Sequence, residues 1–294
     1  LSPPQPLWDN RRAMIEPETL RRAVRLALEE DAAADDITSA IVIDQAARAS
    51  GAFVAREELT ACGLEVAREV FRQADPALAF ETRHADGDRC APGEVLAVVR
   101  GRARPILAGE RTALNFMQRL SGIATATSRL VALVRGTGVQ IADTRKTVPG
   151  LRAFDKYAVA TGGGTNHRAG LADAILIKDN HWRLAGGVAE AVRRARAAGR
   201  PAAGAPITIE VTTAGEARAA IEAGAEALLL DNMDDATLEE TLAVARGRAF
   251  LEVSGGLTAD RAPRLATLGI QRLSIGALTH SVRAVDIALE MEAA

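Results

Sequence analysis

VQIADTRKTVPG, residues 139–150, starts as an apolar run and ends in charge. Val139, Ile141 and Ala142 read as a buried strand. At its end Arg145 and Lys146 stand side by side between Thr144 and Thr147, and Pro149-Gly150 closes the stretch. The pattern recurs downstream in DAILIKD (173–179), ITIEV (207–211), ALLLDN (227–232), FLEVSGG (250–256) and RLSIGA (272–277). Amphipathic helices are predicted between these strands, over 151–161, 187–198, 214–223, 235–246 and 259–268. Near-continuous apolar strands joined by helical crossovers describe a parallel sheet covered on both faces. Six such units, with room for a seventh around 162–168, predict an incomplete, about seven-stranded α/β barrel. A doubly wound open sheet is the alternative.

Upstream the pattern differs. PETLRRAVRLALEE (17–30) places Leu20, Val24 and Leu28 at helical spacing, with Pro17 suited to the first turn. Strands are predicted at 51–56, 78–83 and 94–107, with a helix over 63–73. Two helices, GERTALNFMQRL and IATATSRLVALVRG, follow in 108–135. The predicted organisation is an N-terminal α/β sandwich domain over 1–120 and an α/β barrel over 121–294, with a last helix packed back on the first domain.

Composition narrows the function. The 294 residues are 48% hydrophobic, enough for a sizeable core. With 36 Lys plus Arg against 38 Asp plus Glu, the net charge of −2 provides no field for nucleic acid or an anionic membrane. No apolar run approaches spanning length and no signal peptide is visible. Cys62 and Cys90 form no CxxC pair and read as buried free thiols, which suits a cytoplasmic protein. Only three of the 36 cations are lysines, and Lys146, Lys156 and Lys178 all fall in one short window. Ammonium is a compact point charge and guanidinium a planar fork, so that window calls for both kinds of cation.

In either parallel architecture the chemistry lies at the carboxyl ends of the strands. Those ends carry Thr144, Arg145 and Lys146, then Lys178, then Glu210, then Asp231, then Ser254-Gly255-Gly256, then Ile275-Gly276-Ala277. Gly-rich turns after the last two strands are suited to phosphate, which backbone N–H groups would hold. Glu210 and Asp231 are open to three roles: an acid/base pair, anchors for sugar hydroxyls, or a water-mediated hold on Mg²⁺. Beside a phosphate site the last two are favoured. GGGTNHRAGL (162–171) adds His167 and Arg168 to the cations. So much positive charge at one mouth requires an anion larger than a single phosphate, such as a diphosphate with a carboxylated substrate.

The block DTRKTVPGLRAFDKYAVATGGGTNHRAGLADAILIKDNH (143–181) strongly resembles the signature of the quinolinate phosphoribosyltransferase family. ERTALNFMQRLSGIAT (110–125), LLLDNM (228–233), EVSGGL (252–257) and IGALTHS (275–281) match further family blocks in the same order. The resemblance implies a type II phosphoribosyltransferase, with an open-faced N-terminal α/β sandwich and a seven-stranded α/β barrel. It implies transfer of phosphoribosyl from phosphoribosyl pyrophosphate (PRPP) to quinolinate with Mg²⁺, giving nicotinate mononucleotide, pyrophosphate and CO₂. It also implies a homodimer with shared sites. Carried onto this sequence, Arg145, His167, Arg168 and Lys178 would contact quinolinate, joined by Arg111 of the neighbouring subunit. Thr144 belongs to the same substrate-binding set. Lys146, Glu210 and Asp231 would hold PRPP and act in catalysis, the two carboxylates also serving Mg²⁺, directly or through water. Residues 254–256 and 275–277 would cradle phosphate.

Two positions depart from the family pattern: Thr208 stands where an acid is common, and AAADD replaces a Gly-containing turn near residue 34. Two other readings compete. One is a Schiff-base barrel aldolase with Lys178 as its amine. The other is a relative that binds the substrates without turning them over.

Overall fold

The computed structural model describes residues 14–199 and 206–293, which divide into two compact units. One comprises residues 14–128, 147–163 and 278–293; the other comprises 129–146 and the described part of 164–277.

The first unit is built on a four-stranded antiparallel sheet. Its strands are β1 (Arg48–Ala55), β3 (Ala79–Thr82), β5 (Val95–Arg102) and β12 (Ile287–Ala293), in the order β12-β1-β5-β3. A two-stranded ribbon joins β2 (Leu59–Thr60) to β4 (Arg89–Cys90). Helix α1 (Pro17–Glu30) starts on Pro17, and the Glu16 carboxylate accepts the Thr19 N–H at 2.7 Å. The short α2 (Ile37–Val42) is capped by Asp36 in the same way. Helix α3 (Leu64–Ala74) packs on the sheet through Phe71, whose ring meets Phe53 at 5.9 Å and Phe80 at 5.8 Å.

Three features of this unit differ from the sequence reading. Strand β5 ends at Arg102 and a helix follows at once, with Pro105 in the first turn, where its missing N–H is not needed. That helix, α4 (Ala103–Leu133), is one continuous element rather than two. Ser121-Gly122 suggested a break, but Gly122 serves a close approach: a Cβ there would lie 2.4 Å from the Arg283 carbonyl oxygen. The C-terminal segment is strand β12, not a helix. IALEMEA alternates Ile287, Leu289 and Met291 with more polar positions, a period of two that suits the open edge of β1. The boundary expected at 120/121 falls inside α4. Helix α5 (Arg152–Thr161) also belongs to this unit. There Arg119 grips the buried Asp155 at 2.9 Å through both carboxylate oxygens.

The second unit is the barrel. Its strands are β6 (Gln140–Ala142), β7 (Leu176–Ile177), β8 (Thr208–Val211), β9 (Ala227–Asp231), β10 (Phe250–Ser254) and β11 (Arg272–Ser274), all parallel. The order β6-β11-β10-β9-β8-β7 places the first strand against the last. That closure distinguishes a barrel from a doubly wound sheet. The predicted seventh position is a single parallel bridge, Thr165 to Ala142, with Thr165 N–H on the Ile141 carbonyl at 2.7 Å. Among the described residues the Thr165 segment and β7 are not paired, so the ring is open there. The crossovers carry α6 (Asp179–Ala185), α7 (Val188–Ala198), α8 (Ala214–Glu222), α9 (Asp235–Ala245) and α10 (Ala262–Ala266). The four-residue α11 (Ala277–His280) begins after β11.

Strand register sorts the side chains. Ile141, Leu273, Val253, Leu230 and Val211 lie in register with one another and form one apolar row. Gln140, Arg272, Glu252, Leu229 and Glu210 form the alternate row on the opposite face. Charge on that second row is the unusual feature of this barrel.

Candidate active site

The barrel unit brings together most of the residues expected at its mouth. After β6, Asp143 is fully buried, and its Oδ1 accepts the His167 N–H at 2.7 Å. This contact ties the 164–168 segment to the strand that carries Arg145. Thr144 Oγ1 accepts the Lys146 N–H at 3.0 Å, fixing a local turn around Arg145. Arg168 is buried, and its Nη1 donates to the Ala174 carbonyl at 3.1 Å. The loop beyond it is clamped by Asp173, whose Oδ2 accepts the N–H groups of Ala169 and Gly170 at 2.7 and 2.8 Å.

The two arginines lie close enough to oppose each other's charge. Burial, and then the Arg145 guanidinium, push Arg168 below its ordinary pKa. Nε of Arg145 and Nε of Arg168 are both buried without a hydrogen-bond partner. Folding does not ordinarily leave guanidinium donors buried and unanswered, because each forfeits strong hydration. Two such donors close together make the pair a candidate anion site.

Lys178 ends β7. Its Nζ lies 2.8 Å from Oε2 of the buried Glu210 at the end of β8, and its N–H donates to His181 Nδ1 at 2.9 Å. Asp231 ends β9, half-buried and in register with Ser254 on β10. Asn232 then takes a left-handed conformation, φ 51°, and its N–H reaches the Ser254 carbonyl at 2.9 Å. Gly255, φ 87°, is packed so tightly there that a Cβ would lie 2.7 Å from the Asn232 nitrogen. Only glycine meets both demands. Ile275 N–H bonds the Ala142 carbonyl at 2.8 Å, fixing the turn that carries Gly276 and Ala277.

A short helix follows each Gly turn: the five-residue α10 after Gly256 and the four-residue α11 after Gly276. Any phosphate held here would rest on turn N–H groups rather than on a long helix dipole. Thr208 is buried at the start of β8, on the Glu210 side of the strand and one pleat deeper. Arg111 lies in the other unit, exposed on α4. Lys156 also falls in that unit, buried on α5, so the lysine window splits between the two units.

The sequence reading overlooked the polar group inside the barrel. Glu252 on β10 is buried, with the Ser274 hydroxyl donating to Oε1 in a short hydrogen bond. His167 Nε2 lies 3.4 Å from Glu252 Oε1, and Arg272 Nη1 lies 3.5 Å from Oε2. Arg272 is fully buried, donates to Gln140 Oε1 at 3.1 Å and stands over the Phe250 ring at 5.0 Å. Burial opposes ionisation of Glu252, yet His167, Arg272 and Ser274 together hold its carboxyl down to about 2. A signal existed: FLEVS and RLS each carry a charge inside a strand, where an apolar residue is the rule.

Among the described residues, one trio of side chains has metal-ligating character, His84, Cys90 and Glu94 of the sandwich unit. Its ligand atoms all lie within 4.8 Å of one another. Burial, then Glu94 and Asp88, raise the Cys90 thiol to about 11. Three such residues fall short of the four ligands of a closed Zn²⁺ shell. No helix among the described residues is long and apolar enough to cross a membrane.

Comparison with known proteins bears on both units. Residues 36–121 match the family described as Quinolinate phosphoribosyl transferase, N-terminal domain, and residues 123–290 match its C-terminal domain. A Mycobacterium leprae (strain TN) protein named nicotinate-nucleotide pyrophosphorylase (carboxylating) is 40% identical over 282 residues, covering 93% of this chain and 98% of that one. A Bacillus subtilis (strain 168) protein named probable nicotinate-nucleotide pyrophosphorylase (carboxylating) is 39% identical over 264 residues, covering 89% and 90%. The solved structure of the nicotinate-nucleotide pyrophosphorylase from Francisella tularensis superposes with a TM-score of 0.89 at 38% identity, covering 95% of this chain and 98% of that one.

Proposed function

The chain belongs to the quinolinate phosphoribosyltransferase family, and from that membership we propose how its residues carry the reaction. The enzyme joins quinolinate to PRPP and releases pyrophosphate and CO₂, giving nicotinate mononucleotide for NAD biosynthesis. The observation that carries the site assignment is the pair Arg145 and Arg168, close enough to oppose each other's charge and with a buried, unanswered Nε on each. Quinolinate, a dianion at neutral pH, matches that surplus.

Arg145 and Arg168 grip the quinolinate carboxylates as planar forks, with Lys178 as a nearby point charge. His167 lines the same pocket, and Thr144 fixes the turn that presents the cations. In a homodimer with shared sites, Arg111 of the partner subunit completes the cation set. Lys146 takes the phosphates of PRPP. The turns at 254–256 and 275–277 cradle its 5′-phosphate through backbone N–H groups.

Glu210 and Asp231 end adjacent strands beside the ribose position. As the bond from ribose C1 to pyrophosphate breaks, pyrophosphate takes the bonding pair and C1 becomes oxocarbenium-like. The two carboxylates stabilise that charge. The quinolinate ring nitrogen then donates its lone pair to C1. The resulting pyridinium accepts the electron pair left on C2 when the neighbouring carboxylate departs as CO₂. A solvent proton completes C2.

The donor set suits Mg²⁺ held through water: two carboxylates on neighbouring strand ends, one already committed to Lys178. Mg²⁺ there would neutralise the departing pyrophosphate. The two buried, free cysteines favour a reducing compartment such as the cytoplasm.

The test is release of labelled CO₂ from carboxyl-labelled quinolinate, with and without PRPP, before and after chelation of divalent ions. PRPP-dependent release that chelation abolishes and Mg²⁺ restores is expected. Binding of both substrates without release would identify a noncatalytic relative.

A further inference from the structure

Both edges of the His167 ring are in use. Nδ1 accepts the backbone N–H of Arg168 at 2.8 Å, which an imidazole nitrogen does only when it carries no proton. The ring proton therefore resides on Nε2, the nitrogen that faces Glu252 Oε1 at 3.4 Å. The residue's own N–H is bound to Asp143. His167 is thereby fixed at three points, and the third is a carboxylate on another strand.

Glu252 does more than balance Arg272. Arg272 faces Oε2, whereas His167 and the Ser274 hydroxyl face Oε1. The carboxylate is oriented by one oxygen and reads out on the other. A chain of contacts runs from it through the ring to the backbone N–H of Arg168, whose guanidinium lies close enough to Arg145 to feel its charge. An apolar residue at 252 would fill the same space but give the ring nothing to direct its proton.

We propose that Glu252 is a positioning residue for the quinolinate site: acting through His167, it holds the ring as the Nε2–H tautomer, whose Nδ1 captures the Arg168 N–H and sets the Arg168 guanidinium. Glu252 touches no substrate in this scheme. The proposal rests on the assignment of Arg168 to quinolinate, and its first readout is independent of that assignment.

Two measurements test it. Nitrogen-15 NMR of the ligand-free enzyme, with the His167 signals assigned from a His167→Gln variant, should show a protonated Nε2 and an unprotonated Nδ1. In Glu252→Gln that preference should weaken. Quinolinate Kd in the same variant should rise roughly 10- to 100-fold while PRPP Kd stays within about threefold. Glu252→Asp keeps the charge for Arg272 but withdraws it from the ring. It should therefore lose quinolinate affinity as Glu252→Gln does, while retaining more of the wild-type stability.

Should Glu252→Gln fail to fold, the double variant Glu252→Gln/Arg272→Met removes the whole ion pair and is read in the same way. An unchanged tautomer and an unchanged quinolinate Kd in the folded variants would overturn the proposal. So would equal losses for both substrates. If wild-type enzyme binds no quinolinate, the functional assignment fails instead, and the tautomer measurement still decides whether Glu252 sets the ring.

Discussion

Lys178 and Glu210 form a salt bridge, Nζ to Oε2 at 2.8 Å, between the ends of adjacent parallel strands. The lysine is assigned to quinolinate and the carboxylate to PRPP, so without substrate the two halves of the site answer each other. Glu210 is buried and Lys178 half-exposed, which leaves the lysine free to swing when a carboxylate arrives.

That pairing bears on the aldolase reading. A Schiff-base lysine needs its amine free to attack a carbonyl, and here Nζ is held by the Glu210 carboxylate. Borohydride reduction in the presence of keto-sugar phosphates is expected to leave Lys178 unlabelled by mass spectrometry. A covalent adduct on Lys178 would return the aldolase to consideration.

The Arg145–Arg168 pair predicts substrate choice. Nicotinate lacks the carboxylate beside the ring nitrogen and would leave one guanidinium, with its buried Nε, unanswered. Sites built around a polar group can reject the analogue lacking it by about 10⁴-fold. The kcat/KM ratio of quinolinate to nicotinate should approach that figure. Arg168→Ala should lower kcat/KM for quinolinate roughly 10²-fold or more, and Arg168→Lys should not restore it, since ammonium cannot reproduce the fork. Comparable use of the two acids would contradict the assignment.

Arg111 is exposed on α4 and belongs to the sandwich unit, so its proposed role requires a partner subunit. Inactive Arg111→Ala and inactive Lys146→Ala enzymes, mixed in equal amounts and allowed to exchange subunits, should recover about a quarter of wild-type activity. Half the dimers are then mixed, and each has one intact site. Confirmed exchange with no recovery would exclude a shared site.

Glu252 predicts an acid limb of stability. Its folded pKa of about 2 lies below the ordinary 4.5, so between those values the unfolded chain binds the extra proton. The stabilisation is complete above pH 4.5 and is lost as pH falls towards 2. It amounts to something on the order of 3 kcal/mol. Urea unfolding at pH 5 and pH 3 should show a steeper loss for wild type than for Glu252→Gln. Parallel losses would mean that other carboxylates set the acid limb.

Much of this was legible in the chain alone. Strands of almost unbroken Val, Ile and Leu, each ending in a polar group and followed by a helix, determine a parallel α/β fold. They also determine that Arg145, Lys146, Lys178, Glu210, Asp231 and the turns at 254–256 and 275–277 gather at the strand ends. Those conclusions depend on local periodicity and on the direction in which a parallel strand runs, and both are written in neighbouring residues.

Tertiary structure decided what depends on distant partners. Gly122 looked like a helix break until the crossing backbone at Arg283 explained it. IALEMEA became a strand because the edge of β1 was open to it, about 240 residues away in sequence. Glu252, Arg272, Asp143 and Ser274 became a site only when closure of β6 against β11 placed four separate segments around one carboxylate and one ring. A buried charge is stable only through its partners, and in this barrel those partners are assembled by the closure itself.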